Sequence, residues 1–362
     1  MRHLWSRRDG RHEVFWNLQT EQEERKKYSY QALCRAVKNM LNEYAGESIS
    51  EVGLSARLQQ CQEEQRRMFS QCIRTCCSGN EGSRAVVQEI IRTYLLGEAE
   101  LNACRILYAV PFDEPDYMSA REMMESIIYL FDAKQPEEGF RLLCEAYGWC
   151  LPKRGKDEFF FEVTEEEVRH TWNSLKPEFS YSDCLNILVR LLFADTVGLG
   201  VIDTLNGQKG WIEEIQLGMN GLTEQAYNYR TELGKKGERR SSSKDSVHIL
   251  VQGFTIWLRF LSFGSEEEME RVLRNLMKDS GVGELTKNQP MAVVDTVDGR
   301  RITVSRPPMT DSWVGLVRKF DTVKEVRLEG LYKGHPQGEV VAELLRQLVR
   351  SGMKIAITGE MA

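Results

Sequence analysis

The sequence predicts an α+β protein, and three observations carry that prediction. Residues up to about 135 are rich in helix-forming side chains, with apolar positions recurring at three-and-four spacing. From about Gly198 onward, short β-branched and aromatic runs bounded by Gly take over. Asp298-Gly299 then separates two alternating segments, Met291 to Val297 and Arg301 to Ser305, which is the pattern of a tight β-hairpin.

With 362 residues the chain has length for two or three domains. Its 41% hydrophobic and 28% charged residues are a globular balance, which excludes collagen-like and wholly disordered chains. A formal net charge of −6 disfavours a generic nucleic-acid coat, and no specific nucleic-acid partner is expected. No window reaches the roughly 18 uninterrupted apolar residues of a membrane span. The nearest, Leu185 to Val201, is broken by Arg190 and Asp195. Arg2, Arg7 and Arg8 are followed by no apolar run, so a cytoplasmic chain without a secretory signal is expected.

In order along the chain, Gln19 to Tyr44 has no Gly or Pro and reads as a helix. Gly46, Ser48 and Ser50 punctuate before a second helix running to about Cys77, and Ser78 to Gly82 is a turn cluster. Val86, Val87, Ile90, Ile91, Tyr94 and Leu95 mark the apolar side of a third helix. Pro111 and Pro115 interrupt the pattern, which resumes from Tyr117 to Leu130. Pro152, Gly155 and Phe159-Phe160-Phe161 predict a loop leading into a short strand. Thr164 before three Glu residues is an N-cap with carboxylates in the first turn, where the helix dipole favours them.

Tyr181 to Thr196 is an apolar helix, and Trp211 to Leu217 a strand closed by Asn220-Gly221. His248 to Val251 and Thr255 to Phe263 are β-rich segments around Gly253, Glu266 to Met277 is an amphipathic helix, and Trp313 to Phe320 is a further strand. A helix from Glu339 to Arg350 precedes a short apolar strand, Met353 to Thr358, which runs into Gly359. The organisation is a helical leader over 1–135, an α+β domain of mainly antiparallel strands over 136–320, and a linker with the opening of another domain over 321–362.

Chemistry-bearing patterns are sparse. Nine cysteines suggest no disulfide framework. Cys72, Cys76 and Cys77 cluster downstream of Cys61, but no CxxC pair or nearby His completes a zinc site, so reduced structural thiols and no metal are expected. The five histidines are scattered, without Ser/His/Asp or HExxH spacing. Gly234 to Asp245 carries five basic against two acidic residues and reads as a mobile hairpin loop, with a phosphate or acidic-lipid contact as the alternative. The strand ending in Gly359 matches the opening of a P-loop, with Glu360, Met361 and Ala362 at its first free positions.

The run Asp298-Gly299-Arg300-Arg301, then Pro307-Pro308, then Arg318-Lys319-Phe320, ahead of Lys354 to Gly359, resembles the type II/IV secretion-system ATPases, specifically the CpaF/TadA-type motors of Flp pilus assembly. Asp195 to Asp203 and Trp211 to Ile215 also look like elements of that family, and the resemblance covers roughly residues 180 to 362. It implies a PAS-like sheet domain followed by a RecA-like P-loop domain, in a hexameric, Mg²⁺-dependent, ATP-hydrolysing motor. Such a motor is peripheral at the cytoplasmic face of an inner-membrane pilus or secretion platform. Carried over by position, Arg301 and Arg318 are the nucleotide-binding arginines and Gly359 is the first glycine of the phosphate loop. Lys319 alternates to the other face of its strand and is expected to be structural.

The Lys and Ser/Thr of a complete P-loop do not occur after Gly359, so the expectation is a truncated or split sequence that does not hydrolyse ATP by itself. The competing expectation is a non-catalytic docking or regulatory module of the same kind of machine.

Overall fold

The protein is represented by a computed structural model, which describes residues 21–46, 56–77, 80–154, 159–219, 243–278, 285–296, 298–320, 337–354 and 356. Its helical first part comprises α1 (Tyr30–Gly46), α2 (Ala56–Thr75), α3 (Glu81–Leu96), the single turn α4 (Ile106–Ala109), α5 (Ala120–Asp132) and α6 (Gly139–Tyr147). Next come β1 (Lys153–Arg154), β2 (Phe159–Phe160), β3 (Glu162–Val163), α7 (Glu165–Leu175), α8 (Tyr181–Thr196) and the short α9 (Asp203–Gly207). The remainder is β4 (Glu214–Leu217), β5 (Val247–Val251), β6 (Phe254–Leu258), α10 (Glu266–Met277), β7 (Met291–Asp295), β8 (Arg301–Ser305), β9 (Val314–Arg318) and α11 (Gly338–Arg350).

Local chemistry sets the helix starts. Ser119, Thr164 and Ser180 each accept a hydrogen bond from the backbone N–H three residues on, while Glu122, Glu167 and Asp183 reach back to the cap. These reciprocal boxes satisfy two orphan amides apiece. At α3 the Asn80 carboxamide oxygen takes the Ser83 N–H at 2.9 Å.

Among the described residues, seven strands form one sheet in the order β3-β6-β5-β4-β9-β8-β7, and β1 pairs separately with β2. The expected antiparallel sheet is corrected to a mixed one, because β3 runs parallel to β6. The Trp257 N–H donates to Phe161 O at 3.1 Å and the Arg259 N–H to Val163 O at 2.9 Å, so the chain leaving the β1–β2 hairpin closes the β6 edge before entering α7. All other pairings in the sheet are antiparallel.

Register divides the sheet into two faces. Val294, Ile302, Val317, Ile215, Ile249 and Ile256 fall on one side and are buried. Met269, Val272, Leu273 and Leu276 of α10 are buried in the same core. The approach is close at β9, where a Cβ on Gly315 would sit 2.3 Å from Leu273 Cδ2. That core is continuous with the helical part, joining Leu33, Val87, Ile127 and Leu188 to the sheet's Ile215 and Val317.

The helices Tyr181–Thr196 and Glu266–Met277 and the strand Arg301–Ser305 have the bounds expected from sequence, β5 begins one residue earlier than expected, and β4, β6, β7 and β9 are shorter than expected. α4, α6 and α9 were not anticipated. Of the expected last strand, Met353, Lys354 and Ala356 are described, carry no strand and are exposed. Ile355 and residues 357–362 lie outside the described residues, as does most of the basic loop 234–245.

Candidate functional site

Arg301 and Arg318 are brought together by register: they are direct cross-strand partners on β8 and β9. The ladder continues outward to Asp295 on one side and Glu214 on the other, giving a row of anion, cation, cation, anion across four strands. Arg301 donates from Nε to Asp295 Oδ1 at 2.7 Å and from Nη2 to Oδ2 at 3.1 Å. That fork holds the Asp295 carboxyl below its ordinary range, the hydrogen bonds from Arg301 being the main cause. The Arg318 Nε lies 3.2 Å from Glu214 Oε2. Both arginine side chains remain more than half exposed, at 52% and 57%. Gly359 lies outside the described residues.

One residue along each strand, the chain turns the other way. Arg300 and Lys319 are 7% and 3% exposed and line a cleft of about 640 Å³ where the helical part meets the end of the sheet. The α2 end (Cys76, Cys77), the first turns of α3, Asp132, Arg190 and the segment Leu199 to Lys209 form the rest of its wall, with Phe320 at the sheet side. The Lys319 ammonium donates to Leu205 O at 2.9 Å and Gln208 O at 2.6 Å, closing the carbonyl end of α9. Arg300 pairs through Nη2 with Asp298 Oδ2 at 2.5 Å. Arg301 reaches the same corner from the other face, its guanidinium 5.9 Å from the Phe320 ring centroid.

The wall is held by ion pairs that cross the fold. Arg84 forks onto Asp203, with Nη1 to Oδ1 at 3.1 Å, and lies over the Phe193 ring at 4.6 Å. Asp203 is 1% exposed and also accepts the Leu199 N–H at 3.0 Å. Arg190 meets Asp132 at 3.1 Å, and Lys209 ties Glu81 to Glu137. Deeper in the helices, Asp195 accepts from Arg121 at 2.7 and 3.0 Å and from the Tyr30 hydroxyl at 2.6 Å. Glu125 accepts from the Thr204 hydroxyl, and burial pushes its carboxyl above the ordinary value. Such pairs fix geometry, and removing one partner strands a buried charge.

On the same face as the arginine row, His248 of β5 stacks on Trp257 with centroids 5.7 Å apart and planes at 19°. Burial pushes its pKa down to about 4. Cys76 and Cys77 hold their sulfurs 3.9 Å apart. Among the described residues no group of three or more His, Cys, Asp and Glu side chains is arranged to hold a metal ion.

Alternation in the sequence separated Arg318 from Lys319. It missed Arg84, Asp203, Arg300 and the cleft, whose parts come from distant segments. Fold and site together define an α+β protein with a mixed sheet, a helical first part and an ion-paired cleft between them. Among the described residues no helix is long and apolar enough to cross a membrane. Comparison of the chain with protein-family models and with the curated proteins found no match.

Proposed function

We propose that residues 1–362 are the amino-terminal part of a secretion- or pilus-assembly motor ATPase, with a PAS-like sheet that presents Arg301 and Arg318 to nucleotide phosphates and a RecA-like domain opening within 321–362. The supporting observation is the arginine row. Like charges placed directly opposite on a sheet are destabilising, yet here two guanidinium groups are register partners and both stay exposed. A polyphosphate bridging them gains charge-assisted hydrogen bonds beside the pairs that Arg301 makes with Asp295 and Arg318 with Glu214.

In this reading the chain works in a hexamer, peripheral to an inner-membrane platform on the cytoplasmic side. Its arginines bind ATP, while the catalytic Lys and Mg²⁺ ligands of a P-loop are not among these residues. No hydrolytic step is therefore assigned to them. A second reading, a docking or regulatory module of such a machine, draws on α11, where Val340, Leu344 and Val349 are 69%, 57% and 67% exposed.

Calorimetric titration with ATP at low salt tests the first reading. The wild-type chain is expected to bind, and Arg301→Ala with Arg318→Ala to weaken binding by about tenfold, each exposed contact being worth on the order of 1 kcal/mol or less. Equal affinity in the two proteins, or no binding by either, refutes the arginine assignment and leaves the docking module.

A further inference from the structure

The sequence of α11 from Glu339 to Arg350 is complementary to itself when read backwards. About the midpoint between Leu344 and Leu345, Glu343 falls opposite Arg346 and Glu339 opposite Arg350. Apolar residues fall opposite apolar ones: Leu344 and Leu345, Val341 and Leu348, Val340 and Val349.

On the helix these residues make two neighbouring stripes. Val340, Leu344 and Leu348 are four apart and lie along one side. The first two are exposed and Leu348 is half-buried. Glu339, Glu343, Arg346 and Arg350, spaced by four, three and four, form a charged stripe beside them. Gly338 and Ala342, on a third side, are buried. The helix dipole accounts for a glutamate in the first turn and an arginine in the last. The Arg346 Nη1 pairs with Glu343 Oε2 at 2.8 Å within the helix, which accounts for the middle two charges. Neither explains an apolar stripe left in water beside them.

We propose that α11 is a self-association surface, on which a second copy of this chain docks antiparallel across a two-fold axis at Leu344. Val340 then meets Leu348 of the second copy, and Leu344 meets its own counterpart. In the same register Glu339 and Glu343 come level, to within one residue, with Arg350 and Arg346 of the second copy. The two-fold puts both charged stripes on the same side of the contact, where they form a polar rim. A parallel pairing would set glutamate against glutamate and arginine against arginine, so the charges select the antiparallel one.

This contact uses the same patch on both copies and closes at two, unlike the head-to-tail contact of a hexameric ring. It goes beyond both functional readings, since it needs neither a nucleotide nor a membrane platform. The helix is 13 residues long, or about 20 Å. So short an interface makes a weak dimer, with an expected dissociation constant on the order of 0.1 mM.

Sedimentation equilibrium of the 362-residue chain at low salt and without nucleotide tests the pairing, at concentrations up to about 0.5 mM. The mass is expected to rise with concentration from one copy towards two. Leu344→Glu, at an exposed position where folding is not at stake, should weaken association at least about tenfold. Two charge variants examine the register. Glu339→Arg with Glu343→Arg makes the stripe wholly cationic, and Arg346→Glu with Arg350→Glu makes it wholly anionic. Each alone should remain a monomer, and an equimolar mixture should recover the dimer. A monomer throughout the range leaves the α11 face to a different partner and overturns the proposal. So does a dimer that Leu344→Glu leaves unchanged, a mixture of the charge variants that stays monomeric, or a mass that climbs past two copies. None of these results bears on the arginine row, which the ATP titration reads.

Discussion

His248 gives the fold a calculable dependence on pH. Its ring lies against Trp257 in β6, with Ser246 Oγ 3.4 Å from Nδ1, and burial depresses its pKa from 6.5 to about 4. The folded chain therefore refuses a proton that the unfolded chain accepts. Stability from this residue is complete above pH 6.5 and is lost as pH falls through the window from 6.5 to about 4. At about 1.4 kcal/mol per pH unit, the upper bound is about 3 kcal/mol. Water reaches part of the ring, so about 1–3 kcal/mol is expected.

Urea denaturation followed by tryptophan fluorescence at pH 7.5 and pH 4.5, on wild type and His248→Gln, isolates the effect because every other titrating group is common to both proteins. The wild type should lose about 1–3 kcal/mol more than the variant on acidification, and the NMR titration of the ring should centre near pH 4. Equal losses in the two proteins, or a titration midpoint near 6.5, would refute the reasoning.

Two further perturbations examine the cleft wall. Arg84→Ala strands the buried Asp203 carboxylate and should cost about 3 kcal/mol or more in chemical denaturation. Adding Asp203→Asn should restore part of that loss, and strictly additive effects would show that the two side chains are not coupled. Lys319→Met removes the donor that Leu205 and Gln208 carbonyls share, at an expected cost of about 1–3 kcal/mol. Hydrogen exchange should accelerate around α9 in that variant, and unchanged protection there would assign the lysine no capping role.

The parts of this fold that were legible in sequence are those written in adjacent residues. Thr164 with Glu167 announces the start of α7, the heptad-like spacing of Met269, Val272, Leu273 and Leu276 announces α10, and Asp298-Gly299 announces the β7–β8 hairpin. The parallel edge was not legible, because β3 is two residues long and carries no periodicity. α6 escaped for a similar reason, being nine residues opened by a glycine. At the candidate site, alternation distinguished the faces of Arg318 and Lys319, but pairing Arg301 with Arg318 depends on register, which neighbouring residues do not encode. Arg84 and Asp203 are 119 positions apart, and a charged hairpin residue such as Arg300 reads as solvated until the helices are placed against it.

The strand order has a consequence for the birth of the protein. β9 is the last strand in sequence among the described residues, yet it lies between β4 and β8. Until Val314 to Arg318 have left the ribosome, the nascent chain has only two half-sheets, β3-β6-β5-β4 and β8-β7, each ending in an unpaired edge that faces the space where β9 will insert. Open edges of this kind pair with other chains when their own partner is late. The closing strand brings Gly315, the one shape that fits beneath Leu273, so completion of the sheet and seating of α10 become a single event.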